Sequence, residues 1–302
     1  MSTPKVIGLN GFGLAVPDLD TAEKFYTAFG LAPERRGGAL ALRSAGRSAD
    51  EVVVVRGPAK RLHHLSFIIR RADEAPFADK LMRAGLAVAA APDDVRRDGL
   101  WFQDPWGTWI NLCPGEPPAP APRKPQAERV DVHLWRELER NPRPARIGHM
   151  LVFTNDWEKS EAFFAETLGL RTADRAAGKV AFMAAGDGIV DHHCFGLINS
   201  THRGYQHASF QVGSLDDIGF GAWRMRAAGC TESFGPGRHA LASNLFHYIR
   251  DPWGSWIEYY ADIDRISSSW VCRDWNELPY VWGPEWSPEF WGKEMNGNFE
   301  PR

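Results

Sequence analysis

Three segments of this chain occur twice, in the same order, and that repetition constrains the fold more than any other feature. VPDLDTAEKFYTAFGL (16–31) is answered by TNDWEKSEAFFAETLGL (154–170), LHHLSFIIR (62–70) by YQHASFQVG (205–213), and FQDPWGTWINL (102–112) by IRDPWGSWIEY (249–259). Each first segment reads as a strand end, an acidic turn and a helix with Phe or Tyr on one face, closed by Gly. Each third segment reads as an Asp-Pro-Trp-Gly turn leading into an apolar strand. An internal duplication follows, each copy an α+β module. The Pro-rich stretch GEPPAPAPRKP (115–125) reads as a linker. The expected division is residues 1–125, a first module with its linker, and residues 126–302, a second module with a Trp-rich tail.

The rest of the sequence narrows the partners. A net charge of -3 gives no reason to expect nucleic acid or an anionic membrane. No stretch is long and apolar enough for a membrane helix. The opening MSTPKVIGLN lacks the pattern of a secretory signal, so the cytoplasm is the expected location. Cys113, Cys194, Cys230 and Cys272 are far apart and are expected to be free, buried thiols.

The copies act as controls for one another. His149 falls opposite Gly11, His207 opposite His64, and Glu258 opposite Asn111. A shared scaffold role would keep the same residues in both copies, so the difference points to chemistry in the second. All three residues sit in apolar, strand-like segments. A carboxylate there is expensive to bury unless it is paired or bound to metal. Two imidazoles and one carboxylate on one face of a divalent ion form the facial triad of non-haem Fe(II) oxygenases, and Mn(II) accepts the same donors.

With these residues in place, the chain resembles the vicinal oxygen chelate superfamily, and its C-terminal half resembles the type I extradiol catechol dioxygenases. The spacing His239, Tyr248, Asp251-Pro252, Glu258 fits that family's pattern, as does a His some fourteen residues before His207, for which Asp191-His192-His193-Cys194 offers His193. The resemblance implies tandem modules built from βαβββ repeats, with the active site inside the C-terminal one. It implies Fe(II) (or Mn(II)) on His149, His207 and Glu258, and O2-dependent meta-cleavage of a catechol. It assigns His193 to proton exchange with bound oxygen, Tyr248 to a hydrogen bond with the substrate oxygen, and His239 to substrate deprotonation or orientation. A homo-oligomer is implied on the same ground. The competing readings are a glyoxalase-like isomerase or lyase and a metal-free binding protein of the same superfamily.

Other positions carry weaker expectations. Phe195, Ile198, Asn199 and Phe246 are taken as pocket lining. His63 and His64 read as remnants of the duplication, and His133 and His202 as solvent-exposed. His247 alternates with Tyr248 and should face the other way. A slip of one residue would bring His192 rather than His193 to the metal. Trp270, Trp275, Trp282, Trp286 and Trp291 read as a tail stapled over the core, or as an aromatic wall of the pocket.

Overall fold

The computed structural model describes residues 3–96, 98–121, 131, 133–176, 178–276 and 280–285. The first copy runs β1 (Gly8–Val16), α1 (Leu19–Phe29), β2 (Ala32–Arg36), β3 (Ala39–Arg43), β4 (Val52–Arg56), β5 (Arg61–Ile69), α2 (Glu74–Arg83), β6 (Leu100–Gln103) and β7 (Trp109–Pro114). A short helix, α3 (Leu134–Glu137), precedes the second copy. That copy runs β8 (Arg146–Thr154), α4 (Trp157–Glu166), β9 (Arg171–Ala176), β10 (Val180–Ala184), β11 (Val190–Asp191), β12 (Phe195–Asn199), β13 (Gly204–Gln211), α5 (Leu215–Ala227), β14 (Ser233–His239), β15 (Leu245–Arg250) and β16 (Trp256–Ala261). The tail adds β17 (Arg265–Ile266), β18 (Asp274–Trp275) and β19 (Tyr280–Trp282).

One mixed sheet has the order β2-β3-β4-β1-β5-β7-β6, and the other β18-β9-β10-β12-β8-β13-β16-β15-β14-β19. Their centres match: β4-β1-β5-β7 in the first sheet is β12-β8-β13-β16 in the second, with the same parallel and antiparallel senses. The βαβββ unit is therefore repeated, with one reduction. In the second repeat of the first copy, one strand has shrunk to a single bridge between Ala89 and Trp101.

Local chemistry sets these boundaries. Asp18 caps α1 by accepting from Asp20 N at 3.0 Å, and Gly30 ends it with φ 108°, a conformation that suits glycine. Both Asp-Pro-Trp-Gly turns are built alike. Asp104 Oδ1 accepts from Trp106 N and Thr108 N, Asp251 Oδ1 accepts from Trp253 N and Ser255 N, and Gly107 and Gly254 have φ of 87° and 88°.

The copies share one hydrophobic core. The Phe29 ring of α1 stacks on Tyr259 of β16 with centroids 4.0 Å apart. The Tyr259 hydroxyl donates to Phe29 O at 2.6 Å. Two ion pairs cross between the copies at equivalent positions. Lys60, just before β5, pairs with Asp251, and Arg203, just before β13, lies 3.9 Å from Asp104. Each copy thus supplies a cation to the other's Asp-Pro-Trp-Gly turn. Among the described residues, no helix is long and apolar enough to cross a membrane.

Candidate metal centre

The site is a row across the middle of the second sheet. His149 on β8 stands beside Ser209 on β13, Ser209 beside Glu258 on β16, and Glu258 beside Tyr248 on β15. Adjacent strands lie about 4.8 Å apart, so aligned side chains converge on one face. His207, two residues before Ser209, shares that face. A bulge on β8 precedes His149, where Ile147 pairs with Phe210 and His149 with Ser209. The result places one donor atom from each of His149, His207 and Glu258 within 4.8 Å of one another, all three buried.

The carboxylate sits at the centre. His149 Nε2 is 3.1 Å from Glu258 Oε2, and the Nε2 atoms of His207 and His239 lie 3.6 and 3.7 Å from its oxygens. Ser209 Oγ donates to Oε2, and Asn244 Nδ2 reaches Oε1 at 3.3 Å. Glu258 is fully buried. Burial opposes its charge, yet His149 at hydrogen-bond distance and the nearby His239 and His207 hold its carboxyl well below the ordinary range. Burial drives His207 down to about 3, against the pull of Glu258, so this imidazole is neutral at working pH. Burial, then repulsion from His149, lowers His193 well below its usual value. A buried anion beside imidazoles such as His207, whose charged form burial disfavours, calls for a cation, and an N,N,O donor set suits a divalent one. The residues present fit the implied metal.

Around the triad, the His193 ring lies 4.4 Å from that of His149 and 4.7 Å from Phe182. His192 turns away to Asp174, with Nε2 2.8 Å from Oδ2. His239 Nε2 is 3.1 Å from the Tyr248 hydroxyl, and its ring stacks 4.2 Å from Phe246. Burial and the neighbouring Glu258 charge push the Tyr248 phenol well above its usual value. Tyr260, two residues past Glu258, lies 5.0 Å from the His149 ring.

Several expectations are corrected. Phe195 is not at the centre: its ring packs on Phe164 of α4 at 4.5 Å and on Phe67 of β5 at 5.6 Å. Asn199 is exposed at the far end of β12 and donates to Gly178 O. The length of β12, about 13 Å from Phe195 to Asn199, separates it from the end of the strand next to His193. Ile198 is buried beside Phe153 on the same stretch. His202 is half-buried, with its ring 4.9 Å from Phe153, while His133 is exposed. The four cysteines are free but half-buried. His247 faces away with Tyr259, as alternation requires. The tail staples onto β9, where Trp270 Nε1 donates to Ala173 O and Trp275 Nε1 to Asp174 Oδ1. Trp282 lies in β19, and Trp286 and Trp291 lie outside the described residues.

In the first copy, the same positions form a hydrogen-bonded patch. Asn10 Nδ2 donates to Ser66 Oγ at 2.9 Å and Ser66 Oγ to Asn111 Oδ1 at 2.7 Å. His64 beside them is driven to about 3 by burial. Ser209 and Asn244 are the site residues that sequence reasoning missed. Ser66 occupies the place of Ser209, so comparing the copies could not reveal it.

The model of the Glyoxalase/Bleomycin resistance protein/Dioxygenase superfamily matches residues 8–112 and 146–259. The chain belongs to this superfamily. Metapyrocatechase 2 from Cupriavidus necator is 35% identical over 299 residues, covering 94% of this chain and 91% of that protein. A biphenyl-2,3-diol 1,2-dioxygenase from Paraburkholderia xenovorans (strain LB400) is 28% identical over 225 residues, 69% of this chain and 71% of that one. The crystal structure of homoprotocatechuate 2,3-dioxygenase from Arthrobacter globiformis superposes with a TM-score of 0.77 at 19% identity, covering 100% of this chain and 97% of that chain. Within the superfamily the chain is an extradiol dioxygenase, with a His/His/Glu metal-binding site in its second module.

Proposed function

We propose that this enzyme opens a catechol-type ring beside its hydroxyls, using O2 and one Fe(II) held by His149, His207 and Glu258. The observation that carries the reading is the row His149–Ser209–Glu258–Tyr248, with His207 and His239 gathered around the same carboxylate and His193 against the His149 ring. Mn(II) fits the same donors, and metal analysis separates the two. Held by His149, His207 and Glu258, the ion would supply Lewis-acid and redox chemistry to the reaction.

The chain's own residues do the rest. His239 accepts a catechol proton at Nε2, beside the Tyr248 hydroxyl. Tyr248, kept protonated by burial, donates its O–H to the substrate oxygen. His193, neutral at working pH, accepts a proton at a ring nitrogen and returns it as the ring opens. Phe182, Phe246 and Tyr260 present aromatic faces near these groups. Such walls exclude water and suit a flat ring without a charged substituent. The remaining parts of the proposal are a division into residues 1–125 and 126–302, a cytoplasmic location and a homo-oligomeric state.

The test is anaerobic purification, metal analysis and oxygen uptake with a panel of catechols, comparing wild type with Glu258→Gln. About one iron per chain with O2 consumption and a new visible absorbance, both lost in the variant, supports the reading. Bound metal with no O2 uptake on any catechol moves the isomerase or lyase reading to the front.

A further inference from the structure

Behind His193 lie two polar side chains, His192 and Asp174, that the reaction as described does not use. Asp174, His192 and His193 are all buried. The Asp174 carboxylate accepts from Arg273 N at 3.0 Å and from the Trp275 indole at 3.1 Å through Oδ1, and its Oδ2 lies 2.8 Å from His192 Nε2. His192 Nδ1 lies 3.1 Å from His193 Nδ1. The Trp270 ring stands edge-on to His192 with centroids 5.8 Å apart, and the main chain of His192 is fixed by its N–H bond to Asp264 O at 2.8 Å.

With His192 and His193 both taken as neutral beside an ionised Asp174, the contacts at 2.8 and 3.1 Å allow one arrangement of donors and acceptors. An ionised carboxylate only accepts, so the hydrogen between Asp174 and His192 sits on His192 Nε2. A neutral His192 then has a lone pair at Nδ1, and His193 must donate to it from its own Nδ1. That leaves His193 Nε2 as the atom without a proton. We propose that Asp174 and His192 form a positioning relay that fixes the His193 tautomer, with hydrogen on Nδ1 and the proton-accepting lone pair on Nε2. This rests on the ring-cleavage reading for its use in catalysis, though not for its existence. In turnover, Nε2 takes a proton from a substrate hydroxyl, His193 becomes imidazolium while still donating Nδ1–H to His192, and the same proton returns to the ring-opened product. The logic is that of a buried carboxylate orienting a catalytic imidazole through hydrogen bonds.

The two copies give independent support. By strand alignment of β4 with β12, the first copy has Ala49 and Asp50 where the second has His192 and His193. The relay is thus present only in the copy that holds the triad.

The experiment uses full-length protein labelled with 15N-histidine, metal-free and above neutral pH, and reads which nitrogen of His193 bears hydrogen from long-range 1H–15N spectra. Asp174→Asn keeps the size and the acceptor for Trp275 but can turn an amide N–H towards His192, which reverses the chain of donors. His192→Leu removes the acceptor for His193, and His192→Gln can restore one. Wild type and His192→Gln should show hydrogen on Nδ1, while Asp174→Asn and His192→Leu should lose that preference. In metal-loaded protein, the same two variants should drop kcat by about 10- to 100-fold at unchanged metal content and KM, with His192→Gln recovering most of it. Hydrogen on Nε2 in wild type, or an unchanged tautomer and kcat in Asp174→Asn and His192→Leu, overturns the proposal. Should no catechol be cleaved at all, the spectra still decide on the relay, so its failure and that of the ring-cleavage reading are separable.

Discussion

The first copy keeps His64, so two substitutions, Gly11→His and Asn111→Glu, would give it the same three residue types as the second. The structure argues that this transplant yields no second metal site. A Cβ at residue 11 would lie 2.4 Å from Glu51 O and 2.8 Å from its carbonyl carbon, and these are backbone atoms that cannot swing aside. Ordinary contact is about 3.5 Å or more, so β1 and β4 would have to part by roughly 1 Å. That movement strains the bond from Phe12 N to Glu51 O, now 3.0 Å, and the Glu51 carboxylate that ties Ser44 N to Ile147 N across the copies. Overpacking of this kind costs about 2–3 kcal/mol, or a Tm lower by roughly 4–12 °C for a protein near this size. Gly11→Ala isolates that cost, and Asn111→Glu alone isolates the cost of the buried charge. The assay is metal content by elemental analysis together with thermal unfolding of the three variants. A double variant that binds a second equivalent of metal with an undiminished Tm refutes the reasoning.

Lys60→Met leaves Asp251 buried without its cation and should cost about 3–5 kcal/mol in denaturant unfolding; a loss under about 1 kcal/mol, typical of exposed pairs, would show the pair to be solvated. His64 is lowered by burial to about 3 when folded, against about 6.5 unfolded, so its contribution is full above pH 6.5 and drains away as pH falls towards 3. At pH 5 it should have lost about 2 kcal/mol relative to pH 7, and His64→Leu should unfold with a correspondingly shallower acid dependence, measured by urea titration at the two pH values. Tyr248→Phe removes the hydroxyl that faces His239 while keeping the ring beside His207. It should hold metal at the wild-type level and lose about 10²-fold or more in kcat; lost metal would instead assign Tyr248 to the binding of the ion.

What the sequence could and could not show has a common cause. The triad was legible because duplication placed Gly11, His64 and Asn111 beside it as a built-in control, and because strand periodicity puts such residues on one face. Ser209 was illegible for the converse reason: its counterpart Ser66 makes the same hydrogen bond to Asn111 that Ser209 makes to Glu258. Asn244 reaches the site from a loop, and Asp174 on β9 is held by Trp275 of the tail, 101 residues further on, and no local pattern encodes such contacts. Phe195 was misplaced because its facing is set by strand pairing, which the sequence does not display: β12 begins at Phe195, which stands beside Met150, the neighbour of His149 on the opposite face.

The same pairing explains why one copy came to hold the chemistry alone. Both sheets have the geometry that aims three central strands at one point, and both have a bulge within the first of them, just before residue 11 or 149. They differ in what stands behind that point. In the second copy, Cys194 O accepts from Met150 N at 3.2 Å beside a side chain at His149, and His193 with its neighbours fills the adjoining strand end. In the first, Glu51 O approaches residue 11 so closely that only glycine fits, and the Glu51 side chain is spent joining the copies through Ile147 N, two residues before His149. The first copy thus has no room for a side-chain ligand at residue 11 and supplies a carboxylate that anchors the strand bearing the second copy's first ligand. Glu51→Gln, which keeps an acceptor for only one of those two N–H groups, should therefore weaken metal binding, read by elemental analysis, at a site it never touches.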